Sequence, residues 1–258
     1  MCHYGDSWWV KNAITANHFL STESVVEIVI IDNSEEGSLD LSEFKNDKIS
    51  LVRIPSDLKG NRQHAASLNK LSSLNLKGFY TLILDTDIVI YDNNFFEKIE
   101  TILESHDALL VYVEGSKCLT HSCFQLLKTE DLIFLDFQLG MYEFNFDTGR
   151  LIGLQLAHKG RNLNIDVAHP LGIFRTGYLY KEIGILHVTS ASVRQLNNRS
   201  FLVKSKLMIN LRNTMLKQIA IYIEKNGSTR SGCKRYFALL MISLKTLHQT
   251  FLLSIRQY

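Results

Sequence analysis

Apolar residues in the first two thirds of the chain follow two alternating patterns, short β-branched runs and stripes with helical spacing. The runs predict strands at 25–32, 49–54, 79–85 and 108–113. The stripes predict helices within 7–20, 61–76 and 95–102. Because near-continuous apolar strands separated by helices are typical of a buried sheet, the pattern predicts an α/β fold with a mostly parallel sheet flanked by helices.

The stretch after the fourth predicted strand is less regular. Residues 116–146 are rich in aromatic side chains and predict irregular structure. A helix is predicted over 148–159, with Asp147 as its N-cap. Short strands are predicted around 163–168 and 184–189, so that the sheet continues beyond this helix.

Charge divides the chain into two parts. Residues 1–193 carry a net charge of −9, whereas residues 194–258 carry +11 and contain Glu224 as their single acid. We therefore predict an acidic α/β domain over 1–194 and a basic, helical C-terminal extension over 195–258.

The basic extension contains two long helical patterns, over 201–226 and 234–256. The second combines an apolar stripe with Lys and Arg and has no acid, which suits an anionic membrane surface. The same stripes equally suit packing against the domain or a dimer interface, and both interpretations stay open. Because the extension lacks an Arg-rich or base-stacking pattern, we do not expect nucleic acid as a partner.

The composition is that of a folded globular protein, with 46% hydrophobic and 21% charged residues. No run of 18 or more apolar residues predicts a membrane-spanning helix. The four cysteines form no C-x-x-C pair, and Cys118 and Cys123 have no matching ligand pair for zinc, which favours a reducing compartment. No signal peptide is recognisable, so we expect a cytoplasmic protein that the basic extension can bring to the inner face of the plasma membrane.

The segment LILDTDIVI at 82–90 carries the most informative candidate chemistry. Two acids, Asp85 and Asp87, lie one residue apart directly after an apolar strand. In an extended segment, residues two apart point to the same side. Carboxylates held that close repel each other, and a divalent cation such as Mg²⁺ or Mn²⁺ relieves the repulsion. A solvated turn after the strand is the alternative, but ligands of open α/β sheets bind at this edge.

Several segments together resemble nucleotide-sugar glycosyltransferases of the GT-A fold, in particular the inverting, family-2-like group. They occur in the family's order: VEIVIIDNSEEGS (26–38), GNRQHAASLNK (60–70), FYTLILDTDIVI (79–90), FDTGRLIGLQLAHKG (146–160) and ILHVTSAS (185–192). The resemblance covers about two thirds of the chain. Since the family begins with a full apolar strand and this chain begins MCHYGD, we expect the first strand to be truncated.

The resemblance implies a nucleotide-binding role for four residues. Asp32 would accept a hydrogen bond from the nucleobase, although an Asp at this position also suits a turn that ends the strand. His64 and Asn69 would line the nucleotide pocket, with a helix-lining position as the alternative for His64. Asp85 would contact the ribose or a water molecule on the metal.

The resemblance also implies a metal site and a catalytic base. Asp87 and His187, with Asp85, would bind the Mg²⁺ or Mn²⁺ that bridges the diphosphate, although a lone His after apolar residues is also typical of a packed side chain. Asp147 would activate the acceptor hydroxyl, with a helix cap as its alternative role. Glu143 is the second candidate for the base.

The implied activity is metal-dependent, inverting transfer of a sugar from a nucleoside-diphosphate donor to a hydroxyl of a glycan or lipid-linked acceptor, in bacterial cell-surface polysaccharide synthesis. A truncated, non-catalytic relative that binds nucleotide or membrane is the alternative function. A nucleotidyltransferase also uses an α/β sheet and paired acids, but CHYGDSWW does not supply the glycine-rich, basic phosphate loop that such an enzyme needs.

Overall fold

A computed structural model describes most of the first 187 residues. The described ranges are 1–3, 7–33, 39–44, 46–54, 58, 60–113, 119–144, 146–170 and 178–187. The predicted basic extension over 195–258 and both of its helices lie outside the described residues. In the described part, no helix is long and apolar enough to cross a membrane.

The described residues form four α-helices, two 3₁₀ helices and ten strands. The α-helices are α1 (Ser7–Ala16), α2 (Asn61–Asn69), α3 (Phe95–Leu103) and α4 (Ile152–His158), and the 3₁₀ helices are Leu71–Ser73 and Thr129–Ile133. The strands are β1 (Cys2–His3), β2 (Ile28–Asp32), β3 (Ile49–Arg53), β4 (Tyr80–Leu84), β5 (Ile88–Ile90), β6 (Ala108–Val113), β7 (Thr120–Lys128), β8 (Leu163–Pro170), β9 (Tyr178–Tyr180) and β10 (Ile185–His187).

The strands form two neighbouring sheets. The first is parallel, with the order β1-β2-β3. The second has the order β4-β7-β6-β8-β9-β10-β5 and is antiparallel except for the β6–β8 pair. A parallel bridge between Cys2 and Asp85 places the end of β1 beside the end of β4, which brings the carboxyl ends of the two strands together.

Helices cover both faces of the central strands. Along β6, Leu109 and Val111 belong to one apolar cluster with α1 and α3, whereas Ala108 and Leu110 belong to another with α2 and α4. This alternation follows from the two-residue period of a strand. Burial on both faces explains why the strands read as continuous apolar runs in the sequence.

The predicted α/β class is confirmed, and the sequence located most of its helices and strands. The predicted parallel strands are confirmed: β1, β2 and β3 pair in parallel, β6 pairs in parallel with β8, and the bridge from Cys2 to Asp85 is parallel as well. Among the described strands, β5, β7 and β9 run antiparallel to their neighbours. An apolar run indicates that a strand is buried on both faces, and a central antiparallel strand such as β7 is buried in the same way. The irregular structure expected over 116–146 was wrong for 120–128, which form β7.

The prediction that Asp147 caps a helix was also wrong. Helix α4 begins at Ile152 with Leu151 in the N-cap position. Asp147 instead lies at the start of a turn, where its carboxylate accepts a hydrogen bond from the Thr148 N–H at 2.9 Å. Glycine at position 149 takes a positive φ of 65°, which interrupts helical geometry and delays the start of the helix.

An apolar groove of about 760 Å³ lies between β2 and β4, and we refer to it as the β2–β4 groove. Its walls include Ile31, Leu82, Leu84 and Phe96. Met1 lies at one end, where its amino group donates a hydrogen bond to the Val29 carbonyl at 2.7 Å. Burial lowers the pKa of this amino group. The Met1 carbonyl also accepts a hydrogen bond from the Ile31 N–H, so that Met1 continues the pairing of β1 with β2. Next to Met1, β2 and β4 face each other across the groove.

Replacing Gly184 with alanine is expected to destabilise the protein by about 2 kcal/mol or more. Gly184 has a φ of 76°, and an added Cβ would collide with the Asp92 side chain. Gly160 is a matched control, because its φ is also positive at 75° but an added Cβ meets nothing within 4 Å. Urea unfolding of both variants tests this, and equal losses of stability would contradict the steric argument.

Candidate active site

Two aspartates and a histidine meet at the edge of the second sheet. Asp85 follows β4 directly, and Asp87 directly precedes β5. His187 is the last residue of β10 and pairs in register with Ile88 of β5, so that it lies beside Asp87. The sequence produces this arrangement because a short turn separates two apolar strands, YTLIL and IVI, and carries both acids.

The ligand atoms of these three residues all lie within 4.8 Å of one another. The His187 Nε2 atom is 3.3 Å from Asp87 Oδ1 and 4.0 Å from Asp85 Oδ2. Asp87 and His187 are buried, whereas the Asp85 side chain keeps 20% of its exposure. Two carboxylates and an imidazole at these separations fit the oxygen-rich donor set of Mg²⁺ or Mn²⁺. An ion can reach the three residues from the exposed side of Asp85.

The two negatively charged carboxylates of this cluster repel each other unless a positive charge lies between them. Burial, together with the charges of Asp87 and Asp147, raises the pKa of Asp85 despite the opposing effect of His64 and His187. Burial on its own would lower the pKa of His187, but Cys123 and Asp87 outweigh it and raise that pKa well above its ordinary value. The cluster thus favours a positive charge between its carboxylates, which either a protonated imidazole or a metal ion supplies.

His64 reaches the same cluster from α2. Its Nε2 atom is 3.8 Å from Asp85 Oδ1. Burial lowers its pKa, but neighbouring Cys2, Asp85 and Asp147 raise it overall to about 9. This position between α2 and Asp85 is compatible with the predicted role of His64 in a nucleotide pocket. When protonated, His64 adds a positive charge beside Asp85.

Asp147 and Arg150 lie on the turn that precedes α4. The negative charge of Asp147 acts on both His64 and Asp85, which places it within electrostatic range of the cluster. The Thr148 hydroxyl donates to the Asn61 carbonyl at 3.0 Å and so fixes this turn against the first turn of α2. The positive charge of Arg150 lowers the pKa of His121 on β7. The Nη1 atom of Arg150 is buried and has no hydrogen-bond partner. Sequence reasoning missed Arg150.

Two of the predicted nucleotide-binding residues, Asp32 and Asn69, form contacts within the protein. The Asp32 carboxylate is fully buried, accepts a hydrogen bond from the Leu39 N–H at 3.2 Å and lies 3.5 Å from Arg53 Nη2. These contacts favour the turn that the sequence allowed as its alternative. Asn69 lies at the far end of α2, where its side chain donates to Asp136 and accepts from the Phe137 N–H. These contacts hold the loop that contains Asp136 and Phe137, and the nucleotide-binding role of Asn69 stays a prediction.

His121 and Cys123 on β7 border the cluster and were missed as site residues. Cys123 is fully buried, and its carbonyl accepts the Asp85 N–H at 2.9 Å. The His121 and His187 rings lie 5.2 Å apart between centroids. Burial and the nearby charges of His187 and Arg150 lower the pKa of His121 to about 3, so that its imidazole is neutral. The His-x-Cys alternation was the available signal, because it places both side chains on one face of a strand.

No protein-family model matches the chain, and no curated protein matches its sequence. Solved structures that match include a galactosyltransferase, LgtC, in complex with donor and acceptor sugar analogues, at 11% identity and a TM-score of 0.42, covering 64% of this chain and 72% of that one. A protein from Desulfovibrio desulfuricans G20, assigned as a nucleotide-diphospho-sugar transferase, matches at 11% identity and a TM-score of 0.41, covering 82% and 84%.

A third match is a Bacillus anthracis protein assigned as a glucose-1-phosphate thymidylyltransferase, with sucrose bound. Its identity is 10% and its TM-score 0.42, covering 62% of this chain and 73% of that one. Similarity at this level carries no information on activity.

Proposed function

We propose that the protein is a glycosyltransferase that transfers a sugar from a nucleoside-diphosphate donor to a hydroxyl of a glycan or lipid-linked acceptor. The observation that carries the proposal is the convergence of Asp85, Asp87 and His187 within 4.8 Å at the edge of the sheet. This is the place where α/β sheets bind their ligands, and the donor set suits a hard divalent cation. The resemblance of the surrounding segments to GT-A glycosyltransferases supports the same activity.

Asp85, Asp87 and His187 would hold Mg²⁺ or Mn²⁺. When bound, the ion neutralises the charge that develops on the leaving nucleoside diphosphate. His64 adds a positive charge beside Asp85, and Arg150 offers a buried guanidinium nitrogen without a partner for a phosphate oxygen or a sugar hydroxyl. Together these groups provide the electrostatic stabilisation that departure of a diphosphate needs.

Asp147 is the proposed base that takes the proton of the acceptor hydroxyl. It is half-buried and lies on the turn that Thr148 anchors to α2. We propose in-line attack, with inversion at the anomeric carbon. Proton NMR of the first product formed reports the configuration of the new bond, and retention would contradict this part of the proposal.

Substituting Asp147 by asparagine is expected to lower the transfer rate roughly 100-fold or more, because general-base catalysis contributes about 10²–10⁴-fold. Mn²⁺ affinity should change little, since Asp147 is outside the ligand set. Steady-state rates and Mn²⁺ titrations measure the two effects. If Glu143→Gln causes the loss and Asp147→Asn does not, then Glu143, which is exposed on the same loop, is the base.

A screen of nucleotide sugars by thermal shift tests the proposed activity as a whole. A donor that binds the folded protein raises its melting temperature, and the increase should require Mn²⁺ or Mg²⁺. Release of the nucleoside diphosphate from that donor then measures turnover. If no nucleotide sugar stabilises the protein in the presence of metal, the proposal is wrong.

A non-catalytic, nucleotide-binding protein is the second candidate function. The 3.3 Å separation of His187 Nε2 and Asp87 Oδ1 favours it, because a protonated His187 can neutralise Asp87 without a cation. The same screen distinguishes the two candidates. Stabilisation by a nucleoside diphosphate without turnover of any donor and acceptor would identify the non-catalytic function.

We further propose that the basic segment 234–256, which lies outside the described residues, binds the inner face of the plasma membrane and brings the enzyme to lipid-linked acceptors for cell-surface polysaccharide synthesis. Its charge pattern in the sequence supports this. The full chain should sediment with vesicles that contain anionic lipid and be released by salt. Replacing Lys234, Arg235, Lys245 and Arg256 with glutamine should abolish sedimentation. Equal binding to neutral vesicles would contradict an electrostatic interaction.

A further inference from the structure

A second group of metal-binding side chains lies directly beside the first and shares His187 with it. His121, Cys123 and His187 each offer a ligand atom, and these three atoms lie within 4.8 Å of one another. His121 and Cys123 are two residues apart on β7, so that the alternation of the strand turns both side chains to the same face. We call this group the His–Cys–His cluster.

The register of the sheet explains how His187 comes to serve both groups. Asp85 follows β4, and its N–H donates to the Cys123 carbonyl, which fixes β7 beside the carboxylates. On the other side, β10 pairs with β5 and delivers His187 next to Asp87. His187 therefore lies between a pair of carboxylates and a thiol–imidazole pair.

The His187 ring has a nitrogen that the carboxylates do not use. Its Nε2 atom lies 3.3 Å from Asp87, while its buried Nδ1 atom has no hydrogen-bond partner. His187 is only 4% exposed, so this nitrogen is withheld from water. The neighbouring group is the buried Cys123 thiol, which interacts with the His187 ring and lies 3.6 Å from the Tyr180 hydroxyl. A thiol is a weak hydrogen-bond partner, so a cation that binds both the sulfur and the ring nitrogen satisfies this buried pair better.

We propose that the His–Cys–His cluster is a separate site for a thiophilic divalent cation, with Zn²⁺ as the natural class and Cd²⁺ as its spectroscopic substitute. Sulfur and imidazole ligands select such ions, whereas carboxylates select Mg²⁺ and Mn²⁺. On binding, the Cys123 thiol and any protonated imidazole lose their protons to solvent, and no redox step is involved.

Occupation of this site has a consequence for the carboxylate site. Because both groups use the His187 ring, a thiophilic cation on its Nδ1 atom makes the Nε2 atom a weaker ligand and adds positive charge beside Asp85 and Asp87. Zn²⁺ is therefore expected to weaken Mn²⁺ binding. This consequence alone depends on the proposed carboxylate metal site, whereas the cation site does not.

The test is a Cd²⁺ titration of the full chain, followed by the ultraviolet charge-transfer band of a cadmium–thiolate bond. We expect the band to saturate at one equivalent, to disappear in Cys123→Ser, and to persist in Cys2→Ser and Cys233→Ser. Asp87→Asn should also keep the band, which separates this proposal from the proposed function. A band that survives in Cys123→Ser, or no band in the original chain, would overturn the proposal.

His121→Gln provides a second measurement that keeps Cys123 in place. Loss of one of three protein ligands should weaken Cd²⁺ binding at least about 10-fold, as measured by competition with a chromophoric chelator. Far-UV circular dichroism establishes that each variant is folded. If Cys123→Ser fails to fold, His121→Gln decides the question, and an unchanged Cd²⁺ affinity would refute the site.

Discussion

Replacing Asp87 with asparagine is expected to lower both Mn²⁺ affinity and donor turnover at least about 100-fold, which corresponds to about 2.7 kcal/mol. The asparagine keeps the size of the side chain but removes one of the two negative charges that face the cation. Asp87 is 3% exposed, so solvent screens that charge only weakly. Isothermal titration with Mn²⁺ and release of nucleoside diphosphate measure the two losses.

The matched control for this variant is Asp47→Asn, because Asp47 is an exposed aspartate on a loop outside the cluster. It removes the same charge from the chain and should change neither quantity. Circular dichroism and the melting temperature establish that both variants are folded. Full turnover in Asp87→Asn would contradict the assignment of Asp87 as a metal ligand.

Filling the β2–β4 groove is expected to stabilise the protein by about 2 kcal/mol or more. Five apolar, β-branched residues fused ahead of Met1 would continue β1 between β2 and β4. The gain comes from burial of the added apolar side chains in the groove, and it exceeds the entropy cost of ordering the added backbone. For a domain of this size the net gain corresponds to an increase of about 4–8 °C in melting temperature.

A fusion of equal length made of serine and aspartate, with a central proline, is the control. It has the same chain length but cannot pair with the strands or fill the apolar groove. Differential scanning calorimetry compares the two fusions with the original chain. Equal melting temperatures for the two fusions would show that the groove does not accept a strand.

The fold class could be predicted from the sequence because burial on both faces leaves a clear record in apolar runs. The reversed direction of β5, β7 and β9 could not, since a covered strand is apolar whether its neighbours are parallel or antiparallel. Strand β7 was missed because polar residues interrupt its apolar pattern. Thr120 and Gln125 are buried there, and their side chains donate hydrogen bonds to the Gly149 carbonyl, a tertiary contact that no local pattern reveals.

The candidate site was predicted best where a local pattern and the sheet edge coincide. Asp85 and Asp87 share one turn, and the structure brings them together with His187, a residue about one hundred positions later. Cys123 was considered only with Cys118, at a spacing that suggested no metal site. Its neighbours in space come from β7 and β10, and only the register of the sheet shows that His121 and His187 flank it.

The position of Mn²⁺ in crystals of the full chain, located by anomalous scattering, tests the proposed metal site of Asp85, Asp87 and His187. We expect a peak about 2.0–2.3 Å from a carboxylate oxygen of Asp85, a carboxylate oxygen of Asp87 and a ring nitrogen of His187. A Mn²⁺ peak bound elsewhere on the chain, or crystals saturated with Mn²⁺ that show none among these three residues, would contradict it.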